Sequence, residues 1–152
     1  AHLSLAQEFG ATHIIPIEGT TPEDRLQALH DITDGRGADI VMEFTGFPGA
    51  FNEGLELVRK GGRYLSVGQL GQGTTTFSPS MIVKKNIQVI GSFSGDVKSY
   101  WKALQFASDH IDHIPFGKMI TGRYKLSEVN VALERMRRME EIKPLIVLDE
   151  GN

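Results

Sequence analysis

Apolar positions along this chain follow two rhythms, short unbroken runs and a recurrence every three to four residues, and the rhythm changes at glycine, proline and capping residues. The stretch that organises the rest runs from Gly37 to Gly71, GADIVMEFTGFPGAFNEGLELVRKGGRYLSVGQLG. Asp39 to Phe44 is a short run of apolar and β-branched residues broken by Thr45-Gly46, the pattern of a strand buried on both faces of a parallel sheet. Pro48 suits the first turn of a helix, Phe51, Leu55 and Val58 recur at helical spacing, and Lys60-Gly61-Gly62 offers a cationic last turn with a glycine stop. Tyr64 to Val67 resumes strand character and ends at Gly68. Strands joined through a helix lie parallel with a right-handed crossover, so Thr45-Gly46 and Val67-Gly68 are expected side by side. They fall at the carboxyl edge, where open α/β sheets bind ligands.

The flanking sequence continues the alternation. Leu3, Leu5, Ala6 and Phe9 give a short helix stopped by Gly10, and Thr12 to Ile17 reads as a strand. Thr21 as N-cap, Pro22 at the first helical position and Asp24 three residues after the cap open a helix whose stripe is Leu26, Leu29 and Ile32. After the glycine-rich loop Gly68 to Gly73 come a short β-branched segment, Thr74 to Phe77, one or two helical turns at Met81 to Lys84, and a buried strand at Ile87 to Gly91. Tyr100, Leu104, Ala107 and Ile111 line one face of the next helix, and Tyr100, Trp101 and Phe106 are expected in a core. Met119 to Leu126 is extended, Ser127 caps the last helix with Leu126 stapled onto Val131, and Leu145 to Leu148 is a final strand. There is no repeat and no linker that would divide domains.

Composition narrows the partners. The 152 residues, 40% hydrophobic and 23% charged, are enough for one domain with a core. A formal charge of -3 carries no footprint for nucleic acid or an anionic membrane. No apolar run approaches the roughly 20 residues that span a bilayer. The absence of cysteine removes a disulfide framework, and a cytoplasmic location is the expectation.

Candidate chemistry outside the strand ends is thin. Gly68 to Gly73 reads GxxGxG without the GK[ST] ending of a phosphate loop, and a mobile loop accounts for it. His110 and His113 with Asp109 and Asp112 have spacing that could catch a metal, but a polar helix end explains them more simply. No serine, histidine and acid arrangement stands at catalytic spacing, and Glu43 reads as a polar strand end.

The phrases AQEFGATHII, GADIVMEFTG, LVRKGGRYLSVG, NIQVIGSFSG, the late capped helix and IKPLIVL stand in an order and spacing similar to the zinc-containing alcohol dehydrogenase family of medium-chain dehydrogenases/reductases. The resemblance covers essentially the whole chain. It implies an α/β fold, an incomplete Rossmann-type doubly wound parallel sheet lacking its first two strands, with residues 1–152 as part of the nucleotide-binding domain of a larger dehydrogenase. The glycine fingerprint, the residue that reads the adenosine ribose, and the catalytic domain with its cysteine, histidine and glutamate zinc ligands would then precede Ala1. In the family's sheet order, 3-2-1-4-5-6, omission of strands 1 and 2 separates the strand near Ile14 from the others. Such a gap leaves open edges, so the chain is expected to pair with a copy, rearrange, or belong to a larger molecule.

The resemblance also implies site residues. The ribose and nicotinamide half of NAD or NADP would meet Phe44, Thr45 and Gly46, then Val67, Gly68 and Gln69, then Gly91, Ser92 and Phe93. Lys143 matches a place where the family often carries a cation near the cofactor phosphates; a solvated lysine is the simpler alternative. Thr74 to Phe77 matches an edge strand through which many relatives form homo-oligomers, with a surface β-hairpin or loop as the equal alternative. The implied activity is hydride transfer between a small-molecule alcohol or polyol and NAD(P), zinc lying in the missing domain and the isolated chain being inactive. A noncatalytic oligomerising fragment and a segment of a zinc-free quinone-reductase-like relative are the alternatives.

Overall fold

The computed structural model describes residues 2–148; Ala1 and residues 149–152 fall outside that description. The described residues divide into two compact units, one of residues 15–95 and one of residues 2–14 with 96–148. In chain order the elements are α1 (His2–Glu8), α2 (Pro22–Ile32), β1 (Ala38–Glu43), α3 (Pro48–Leu57), β2 (Val58–Ser66), α4 (Ser80–Lys85), β3 (Gln88–Gly91), α5 (Val97–Asp109), β4 (Ile120–Lys125), α6 (Val129–Arg137) and β5 (Lys143–Val147).

The unit of residues 15–95 is a parallel sheet of order β1-β2-β3 with helical connections. Val41 pairs with Tyr64 and Glu43 with Ser66, while Tyr64 and Ser66 pair with Val89 and Gly91, so all three strands end level at one edge. The sheet thus has the adjacency 4-5-6 of a dinucleotide-binding fold. Leu55, Val58, Tyr64 and Ile87 form the buried core, with Val41, Phe51, Phe77, Met81 and Ile82 packed around them. Phe51 meets the rings of Tyr64 and Phe77 edge-on at 5.1 and 5.3 Å.

The entry to α2 follows its sequence. Thr21 Oγ1 accepts the Asp24 amide at 3.1 Å, and the Asp24 carboxylate accepts the Thr21 amide at 2.9 Å, a reciprocal cap behind Pro22. Arg25 from this helix donates to both carboxylate oxygens of Glu53 in α3 at 2.6 and 2.7 Å, joining the two helices through a half-buried bidentate pair.

The other end of α3 departs from expectation. The helix stops at Leu57, and Val58, Lys60 and the two glycines that follow belong to β2, where the register slips between Ala38 and Ile40. The helix end is held by Lys85, a residue distant in sequence. Its Nζ donates to the carbonyls of Leu55, Glu56 and Val58 at 3.0, 2.7 and 3.0 Å, serving groups that a helix terminus leaves open. Burial pushes the Lys85 ammonium below its ordinary pKa and the Glu56 carboxylate opposes that shift.

Four further expectations are corrected. Residues 12–17 form no strand: an extended segment becomes a strand only against a ladder partner, and none is present among the described residues. Residues 74–77, for which a surface hairpin or loop is the equal alternative, lie outside both sheets of the described residues, with Asn52 donating to Thr75 Oγ1 and the Thr76 carbonyl and Phe77 packed on the core. β1 is covered on one face only, its alternate residues Ile40 and Met42, and Phe44 just past its end, being substantially exposed, and β3 is exposed along its length. Tyr100, Trp101 and Phe106 are exposed on α5 rather than in a core.

The second unit holds β4 and β5, a parallel pair joined through α6, with Gly122 opposite Pro144 and Lys125 opposite Val147. Ala132 is the buried residue of α6, whereas Leu126 and Val131 are both exposed and hold no staple. The α6 N-cap is Glu128 with no side-chain cap bond, so Ser127 does not serve there. Buried Glu141 accepts the Tyr124 hydroxyl at 2.6 Å and anchors the sheet to the loop before β5.

Gly54 sets the fit of α3 on β2, since a Cβ there would run into the Tyr64 ring. Alanine would ordinarily gain about 1 kcal/mol in a helix, but overpacking costs about 1–3 kcal/mol. Gly54→Ala should therefore lower the urea midpoint of unfolding; a raised midpoint would contradict the packing described.

Candidate functional site

The carboxyl edge of β1, β2 and β3 gathers the strand-end loops. Gly46 has φ of 72°, a left-handed conformation that suits glycine, and a Cβ there would lie 2.7 Å from the Gly68 carbonyl. A Cβ on Gly68 would lie 2.5 Å from the Gly46 nitrogen and 2.6 Å from the Phe44 carbonyl carbon. The two turns are thus in backbone contact. Gln69 Nε2 donates to the Phe47 carbonyl at 2.9 Å, a side-chain tie across the same pair of loops. The third loop joins through the Ser92 amide, which donates to the Ser66 carbonyl at 3.0 Å.

Of the residues singled out from sequence, Phe44, Thr45, Gly46, Val67, Gly68, Gln69, Gly91, Ser92 and Phe93 all lie at this edge, and Phe44 and Phe93 are well exposed. Lys143 stands at the start of β5 in the other unit, exposed and opposite Ile120. In the loop that follows Gly68, the Leu70 amide turns back to the Gly68 carbonyl at 2.8 Å.

Glu43, read from sequence as a polar strand end, is the residue that pattern reasoning undervalued. Its side chain is 5% exposed, and Oε1 accepts from the Thr45 amide, the Thr45 hydroxyl and the Gly46 amide at 2.6, 2.7 and 2.8 Å. Its own carbonyl accepts the Val67 and Gly68 amides at 3.0 and 2.9 Å. Burial raises the pKa of this carboxyl, but the bonds from Thr45 and Gly46, with Gln69 nearby, outweigh it and hold the group below the ordinary carboxylate value. The signal available in sequence was an acid closing an apolar strand directly before a Thr-Gly turn. On the same face, the buried Tyr64 hydroxyl is pushed up to about 12 by burial and by the Glu43 charge.

The amides of Thr45, Gly46, Val67 and Gly68 are therefore all engaged within the protein. These four amides are not free for a ligand, and a phosphate needs N–H donors. What the paired glycines do allow is close approach to the backbone.

The histidines form no centre. His110 Nδ1 lies 2.9 Å from the Phe106 carbonyl and its ring stacks on Phe106, the arrangement of a helix end. Among the described residues no group of three or more His, Cys, Asp or Glu is placed to hold a metal ion.

Comparison with known proteins agrees with the fold. Residues 1–109 match the family profile of zinc-binding dehydrogenases. The chain is 36% identical over 145 residues to a 5-exo-hydroxycamphor dehydrogenase of Pseudomonas putida, covering 95% of this chain and 40% of that protein. It is 31% identical over 144 residues to a sorbitol dehydrogenase of Halalkalibacterium halodurans, again covering 95% and 40%. The structure of an alcohol dehydrogenase from Thermotoga maritima superposes with a TM-score of 0.87 at 36% identity, over 97% of this chain and 40% of that one. The chain belongs to the zinc-binding dehydrogenase family, with a Rossmann-like α/β fold, and spans about two-fifths of the length of the curated relatives it matches.

Two outcomes test the edge. Gly68→Ala meets backbone that cannot yield, so it should destabilise residues 15–95 by about 1–3 kcal/mol in denaturant titration. A neutral substitution would show that the loops are not in contact. For Glu43 the folded pKa lies below the unfolded value near 4.3, so its stabilisation is present above that value and lost as pH falls through the folded pKa. The gap in unfolding midpoint between wild type and Glu43→Gln should hold steady above about pH 5 and narrow progressively as pH falls below about 4. A pH-independent gap would refute the assignment.

Proposed function

We propose that this chain is the nicotinamide-facing part of the dinucleotide-binding domain of an NAD(P)-dependent alcohol or polyol dehydrogenase. The observation that carries this reading is the strand-end edge itself: glycine turns pressed together, the Thr45, Gly46, Val67 and Gly68 amides engaged internally, and the Phe44 and Phe93 side chains left at the surface. When bound there, the nicotinamide would supply the hydride acceptor or donor.

Thr45, Gly46, Val67, Gly68, Gln69, Gly91 and Ser92 would hold the carboxamide and ribose end, and Phe44 and Phe93 would flank it. Lys143 is proposed as a phosphate-side cation by family resemblance alone. The fit is partial. Pyrophosphate binding calls for a glycine turn at a helix N-terminus, and the glycine loop after β2 instead leads into the irregular residues 74–77. The residues present do not fit a catalytic zinc, whose ligand set would have to come from outside the described residues. The substrate class, a small alcohol or polyol, is taken from the relatives.

Isothermal titration of the 152-residue chain with NAD and NADP should give a dissociation constant weaker than about 0.1 mM. Micromolar binding would overturn the view that the pyrophosphate contacts are lacking. Saturation-transfer NMR with NADH should mark the nicotinamide protons more strongly than the adenine protons, and the reverse order would sink the proposed orientation.

A further inference from the structure

The loops at the strand-end edge do not hold themselves. Three donors from the turn after β1 converge on a single oxygen, Glu43 Oε1, and the next loop's two leading amides converge on the carbonyl of the same residue. Thr45 Oγ1 hands the contact on, accepting the Phe47 amide at 3.1 Å while donating to Glu43. The second carboxylate oxygen is buried and has no partner among the described residues, so the side chain's grip on the turn runs through Oε1 alone.

We propose that Glu43 is a positioning residue whose ionised carboxylate sets the conformation of the Thr45-Gly46 turn that a nicotinamide ring would meet. The inference rests on the cofactor reading above. The geometry requires this residue type. An ionised carboxylate oxygen can accept several bonds at once, and such bonds are about twice as strong as neutral ones. Aspartate, one methylene shorter, would not reach both amides and the hydroxyl from the same backbone position. Glutamine can turn its carbonyl to the donors, but it accepts them without charge. Since Gly46 sits against Gly68, a turn released from Glu43 would also lose its register with the second loop.

The test uses the 152-residue chain, its Glu43→Gln variant, and Thr45→Val, which removes one of the donors and leaves the carboxylate in place. In hydrogen-exchange NMR, Glu43→Gln should speed exchange at the Thr45 and Gly46 amides by about tenfold or more. The β2 amides at Tyr64 and Leu65 should keep their rates, and Thr45→Val should show a smaller rise confined to the same turn. In saturation-transfer NMR with NADH, Glu43→Gln should lose nicotinamide contact by about threefold relative to adenine contact, a change that general destabilisation does not produce. Unchanged exchange at Thr45 and Gly46, or a rise spread evenly over the sheet, would overturn the proposal. Wild-type nicotinamide contact that survives intact in Glu43→Gln would overturn it alone, whereas a wild type with no nicotinamide contact overturns the cofactor reading and with it this role for Glu43.

Discussion

Backbone contact between Gly46 and Gly68 is the constraint on which the strand-end edge depends. Parallel pairing of β1 with β2 brings the strand ends level, and the absence of a Cβ at both positions lets the two turns close on each other. With that contact made, a single acid can serve both loops, its side chain holding one and its carbonyl the other. The leading amides of both loops are then engaged within the protein, so these two turns do not offer the N–H donors that a phosphate needs.

Much of this was legible in the residues. The run Asp39 to Phe44 with its Thr-Gly break, the cap at Thr21 and the crossover between β1 and β2 are local patterns, and local patterns survive folding. What escaped was set by residues far apart in sequence. Lys60-Gly61-Gly62 looked like a helix stop, yet Lys85 takes the terminal carbonyls and frees Val58 to start a strand. Residues 12–17 have strand composition without a ladder partner among the described residues, and composition cannot report whether a partner exists. Glu43 was undervalued because the three groups it accepts lie in a turn whose shape is not written in its residue types.

The distribution of apolar surface follows from the same accounting of partners. Ile40 and Met42 on β1 with Phe44 just past its end, and Val97, Tyr100, Trp101 and Leu104 on α5, are large side chains exposed by more than a third. Their spacing is that of a strand face and of a helix face. In the described residues these faces have no covering layer, which explains why amphipathic pattern predicted burial where the structure shows exposure.

The Lys85 clamp also has a mechanical side. By gripping three carbonyls at the end of α3 from the last position of α4, it ties the two helices together at the end of the sheet remote from the loops. Both helices also pack on β2, so this one ammonium fixes where the chain leaves α3 and enters the strand on which the sheet is centred.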